Sequence, residues 1–213
     1  MKRADDLASR IETIFAKLPG ETLPRFQFVT GPGEVIVHET EKKGYARIAC
    51  RFGEGVRAIQ WSITAGDLRP IGSEKNADGA VLLVRPDGAL EAHVMECKQT
   101  IDSSTWKKAL SQLEWTVIKL LAIAGALHER VERVVLYTAF RSNALAPDES
   151  ADASLFELPL GVEDSLASKR EFPMRTSADE TEVDLPGWAS PFLLVKVRKD
   201  EHGHASVDLR VLV

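Results

Sequence analysis

Between residues 26 and 63 apolar and polar positions alternate in short runs: RFQFV, EVIVHE, YARIACRF and VRAIQWSI. Gly31-Pro32-Gly33, Lys43-Gly44 and Gly53-Glu54-Gly55 separate them. A period of two with such breaks predicts a meander of short antiparallel strands. Upstream, over 4–18, apolar residues fall at Leu7, Ile11, Ile14, Phe15 and Leu18, and Pro19-Gly20 follows. That spacing predicts a helix and its stop. Over 76–100 two apolar arms flank a Pro-Asp-Gly turn, which predicts a hairpin with its tip at Asp87.

Downstream, Ser103 and Ser104 are expected to cap a helix over about 105–127. One apolar stripe runs through Trp106, Ala109, Leu110, Leu113, Val117, Leu120, Ala124 and Leu127; a second holds Trp115, Ile118 and Ala122. A helix apolar on two faces is buried on both sides or carries a partner. The run at 132–140 predicts a buried strand. Residues 141–190 lack periodicity and predict long loops; 191–198 and 205–213 predict a second hairpin around a turn at 200–203. The order predicts a mixed α/β (α+β) fold. The strand after the helix is expected to pair parallel to the second hairpin arm by a right-handed crossover.

A length of 213 residues fits one domain, and 44% apolar with 28% charged residues is ordinary for a globular chain. No run of about 18 apolar residues occurs, so no membrane span is expected. The start, MKRADDLASRIETIF, carries acids where a secretory leader would be apolar. Only Cys50 and Cys97 are present, too few for a disulfide framework. These features together lead to an expectation of cytoplasmic location, with both thiols free and buried. A net charge of −5 argues against a free-standing, sequence-independent nucleic-acid binder and leaves room for a partner that supplies grip. The basic clusters Lys42-Lys43, Lys107-Lys108 and Lys196 to Lys199 are expected to be solvated faces.

Candidate chemistry sits at the open end of the first hairpin. Folding about Asp87 brings Asp78 opposite Glu96, since each lies nine positions from the tip. Strand alternation puts Glu96 and Lys98 on one face and sends Cys97 and His93 to the other. Two ionised carboxylates about 4 Å apart repel by roughly 4 kcal/mol at an intermediate effective dielectric. A proton, the Lys98 amine or a divalent cation would offset that, and Mg²⁺ suits two carboxylates plus waters and a phosphate. The same three charges would also close a hairpin as an ordinary salt bridge. A second acid-x-Lys triplet, Glu41-Lys42-Lys43, sits beside Gly44 in a polar turn and predicts surface charge. His202 and His204 fall in a turn with no third ligand in view.

The hairpin, helix and strand resemble the PD-(D/E)xK nuclease superfamily, the restriction-endonuclease-like fold. The resemblance covers about 74–140. Asp78 matches the family's first acid, and Glu96 and Lys98 its acid-x-Lys triplet. Ala77 stands where the family often has proline. Gln99 or Gln112 matches a glutamine found after the triplet or on the next helix, and Gln112-Leu-Glu-Trp115 is similar to a motif of the RecB-like branch. Glu12 matches an acid contributed by the first helix.

The resemblance implies a single nuclease-like domain over 1–213 with a central mixed sheet flanked by helices. The N-terminal helix and the extra antiparallel strands take up 4–63, the core about 74–140, and the loop region and hairpin 141–213. It implies Mg²⁺ held by Asp78 and Glu96 (Mn²⁺ as substitute) and phosphodiester hydrolysis of nucleic acid, DNA ahead of RNA, in a defence or repair system. Partners would be nucleic acid and a second copy or another protein on the helix 105–127, with no membrane. The alternative is a non-catalytic nucleic-acid-binding or assembly subunit on the same fold.

Overall fold

The computed structural model describes residues 6–7, 9–11, 13, 25–39, 46–62, 75–143, 179–185, 188 and 190–209. Glu12, the Glu41-Lys42-Lys43 triplet and most of the 141–190 stretch lie outside them. Among the described residues the fold is mixed α/β, with two sheets, ten strands and one long helix (Ser103–Ala126); the described residues between 6 and 13 are helical, as the spacing there predicts. The ten strands are β1 (Arg25–Thr30), β2 (Gly33–Glu39), β3 (Ala46–Phe52), β4 (Arg57–Ser62), β5 (Gly79–Val84), β6 (Leu90–Ile101), β7 (Val131–Asn143), β8 (Asp179–Val183), β9 (Phe192–Arg198) and β10 (His204–Asp208). The larger sheet runs β1-β4-β5-β6-β7-β9-β8, and the smaller β10-β3-β2.

The predicted hairpin is β5 and β6. They pair antiparallel from Val84↔Leu90 to Gly79↔Met95. At the tip Asp87 Oδ1 accepts from the Ala89 amide at 3.0 Å, and Gly88 takes a φ of 89°, which a side chain would disfavour. β7 pairs parallel to β6, as the crossover predicts, and β9 parallel to β7.

Three expectations need correction. The four early strands are no meander: β1 and β4 pair in the large sheet, while β2 and β3 pair in the small one. β9 and β10 form no hairpin, because β10 crosses over to pair parallel to β3. β9 has buried residues on both faces, whereas β10 buries little besides Val207, so each suits a different sheet. The helix cap is Asp102 rather than Ser103 or Ser104. Asp102 Oδ1 accepts from the Ser104 and Thr105 amides at 2.9 and 2.8 Å, and Thr105 Oγ1 accepts from the Asp102 amide at 2.8 Å. The Thr105 amide, together with the Ser104 and Thr105 hydroxyls that also donate to Oδ1, pulls the Asp102 carboxyl down to about 2. Asp102→Ala is expected to lower the midpoint of a thermal melt. No loss would show that the serines can take over the cap.

Two cores result. One lies between the large sheet and the long helix, with Leu82, Val94, Leu113, Val117, Leu120 and Leu136 in it. The other lies between the sheets, with Val35, Val37, Cys50, Met95, Cys97 and Tyr137. A Cβ on Gly79 would come within 2.7 Å of Val37 Cγ1, so glycine lets the start of β5 approach β2. The helix alone among the described elements has the length and composition to cross a membrane, yet eight of its residues, Ala109 to Ala124, are buried. Trp115, Ile118 and Ala122, the second stripe, are half-buried.

Candidate functional site

The site is assembled where β5 begins and β6 nears its end. The β5–β6 register continues one step past Gly79↔Met95, so Asp78 stands opposite Glu96. Asp78 Oδ2 accepts from the Cys97 amide at 2.6 Å, which fixes the carboxylate against β6. Glu96 is fully buried. Its Oε1 accepts from Lys98 Nζ in direct contact, while its Oε2 has no hydrogen-bond partner among the described residues. Burial, then the nearby charge of Asp78, raises the Glu96 carboxyl to about 8, with Lys98 acting the other way. For Lys98 burial works against the charged form, but Glu96 outweighs it and the amine's pKa rises. We take Glu96 as the group that holds a proton near neutrality, because it is far more deeply buried than the amine. The Lys98 side chain keeps 15% of its surface exposed.

The long helix clamps this end of the hairpin. Gln112 Oε1 accepts from Lys98 Nζ at 3.1 Å, and Gln112 Nε2 donates to the Asn76 carbonyl at 2.9 Å. One neighbour can only donate and the other only accept, so the amide has a single workable orientation. Farther along the same face, Thr116 Oγ1 accepts from the Ala77 amide at 2.7 Å, and Lys119 Nζ donates to Asn76 Oδ1 at 2.6 Å. Gln112, Thr116 and Lys119, at i, i+4 and i+7, thus grip the two residues before Asp78. Gln112→Glu keeps an acceptor for Lys98 but sets a carboxylate oxygen against the Asn76 carbonyl. It is expected to cost about 1–3 kcal/mol in a denaturant melt. An unchanged midpoint would remove the Asn76 link from the account.

The polar row extends across the sheet. Glu96 is paired with Thr138, and Thr138 with Lys196, all on the face that carries the long helix. Thr138 is buried, and its hydroxyl has no hydrogen-bond partner among the described residues. On the opposite face, between the sheets, Glu39 and Lys199 are buried with Nζ and Oε2 3.7 Å apart. Lys196 and Lys199 are therefore not the solvated face expected of them. Lys107 and Lys108 are exposed.

Of the residues expected to form the site, the structure brings together Asp78, Glu96, Lys98 and Gln112. Gln99 is exposed and, sharing the parity of Cys97, points away from Glu96. Sequence reading missed Asn76, Thr116 and Lys119. A signal existed for Lys119, a lone lysine inside Val117-Ile118 and Leu120-Leu121. Nothing local marks Glu39 or Lys199, which topology alone buries. Cys50 and Cys97 are free and buried. His93, 1% exposed, bonds Tyr137 across β6 and β7 (Nδ1 to hydroxyl 2.9 Å) and belongs to the inter-sheet core.

No family model, no curated protein and no solved structure matches this chain. Among the described residues no group of three or more His, Cys, Asp or Glu side chains is placed to hold a metal ion. The two carboxylates nonetheless suit a cation that keeps most of its water. Glu96 Oε2 is a buried oxygen without a hydrogen-bond partner among the described residues, and the repulsion from Asp78 is otherwise relieved by a proton. Mg²⁺ is bound by one or two carboxylates with the rest of its shell from water and phosphate.

Proposed function

We propose that this chain is a metal-dependent nuclease with a restriction-endonuclease-like core, hydrolysing phosphodiester bonds of nucleic acid, DNA ahead of RNA. The observation that carries the reading is Asp78 opposite Glu96 with the Lys98 amine on the Glu96 carboxylate. The order of elements supports it: an acid opens β5, acid-x-Lys lies on β6, and the long helix and the parallel β7 follow. Asp78 and Glu96 would hold Mg²⁺ or Mn²⁺. When bound, such an ion polarises a phosphoryl oxygen and lowers the pKa of its water.

The chain's own residues do the rest. The Cys97 amide holds Asp78 in place. Lys98, fixed by Glu96 and Gln112 and partly open to solvent, keeps a positive charge at the point where the attacked phosphate gains negative charge. The long helix, through Gln112 and Thr116, keeps Asp78 and Lys98 in register.

Purified protein should cleave labelled DNA or RNA oligonucleotides in Mg²⁺ or Mn²⁺. EDTA and Asp78→Ala should each stop it. Wild-type protein that cleaves no substrate with either ion would overturn the reading in favour of a non-catalytic subunit.

A further inference from the structure

The face that carries Glu96 and Lys98 continues across β7 to β9. Lys98 is paired with Phe140, and Phe140 with Arg198, so Arg198 lies in the same row as Lys98 two strands away. Val197, Ala139 and Cys97 fill the opposite face, which confirms the parity. Arg198 is exposed and makes no ion pair or hydrogen bond with a described residue. On the other flank Lys108 lies one helical turn before Gln112, exposed and likewise without a described partner. A carboxylate floor is thus bordered by basic groups on a chain whose net charge is −5.

We infer that Lys108 and Arg198 bind backbone phosphates on either side of the attacked one. The substrate is then a polyphosphodiester strand crossing the ends of β6, β7 and β9, not an isolated phosphodiester. This rests on the nuclease reading for the attacked position only. Neighbouring strands stand about 4.8 Å apart, so the Arg198 backbone is about 10 Å from that of Lys98. That distance suits a phosphate beside the attacked one. A guanidinium with no carboxylate partner is well matched to a phosphate and carries no sequence information.

The test compares wild type, Arg198→Ala, Lys108→Ala and the control Arg51→Ala, which alters the outer face of the small sheet. Binding of a labelled 20-nucleotide strand in Ca²⁺ is followed across a KCl series. Cleavage in Mn²⁺ is followed on that strand and on bis(4-nitrophenyl) phosphate, an isolated diester. Arg198→Ala and Lys108→Ala should each weaken binding about 5–20-fold for every sequence and reduce the salt slope by about 1, with the control unchanged. KM for the strand should rise at constant kcat, and the small diester should be cleaved as by wild type. Wild-type affinity and slope in both variants would overturn the inference, as would equal losses on strand and small diester, or no binding by wild type. Binding that depends on Arg198 without any cleavage would uphold the inference and overturn the nuclease reading.

Discussion

Lys98→Ala is expected to lower divalent-cation-dependent cleavage by about 10²–10³-fold in kcat, the usual cost of removing one donor aimed at developing charge. Lys98 is the cation in direct contact with Glu96, and Gln112 holds it there. The fold should survive. Once the amine is gone Glu96 keeps its proton, so no buried charge is stranded. Asp78→Ala should be at least as damaging, because it removes one of two carboxylates. Single-turnover cleavage with saturating protein reads the effect without confusion from binding. Residual activity above about a tenth of wild type would take Lys98 out of the chemistry.

The second large effect is on stability. In the metal-free protein Glu96 titrates at about 8 rather than at the ordinary value of 4.5. The folded state therefore holds a proton that the unfolded state has released. Its contribution is complete below about 4.5, declines as pH rises, and is gone above about 8. Over that window wild-type stability should fall by a few kcal/mol from this group. Glu96→Gln cannot titrate and should show a flatter profile, overtaking wild type toward pH 8 while losing activity. Mn²⁺ should stabilise wild type most at the alkaline end. Denaturant melts from pH 4.5 to 8.5 provide the measurement, and parallel profiles for the two proteins would refute the burial of a protonated Glu96.

Much of this was legible in the residues because it depends on local counting. Asp78 and Glu96 face each other because each lies nine positions from one tight turn, and strand parity placed Lys98 with Glu96 and Cys97 against them. The long helix and parallel β7 follow from periodicity and from the handedness of crossovers. Partner choice between sheets was not legible. Alternation says which face of β2 or β10 is apolar, not which strand it will pair with, so the meander and the second hairpin were wrong. Lys196 and Lys199 look like surface charge in sequence and are buried by the sheets that meet around them. Asp102 took the cap from the serines because its carboxylate reaches two amides at once.

The central claim is that Asp78 and Glu96 together hold a divalent cation. Calorimetric titration of Mn²⁺ at pH 7, in two buffers of different ionisation enthalpy, tests it on wild type and Asp78→Asn. The expected result is one site in wild type, with nearly one proton released as Glu96 gives up its own, and little or no binding by Asp78→Asn. A wild-type protein that takes up no Mn²⁺, or an Asp78→Asn protein that binds it equally with the same proton release, would contradict the account.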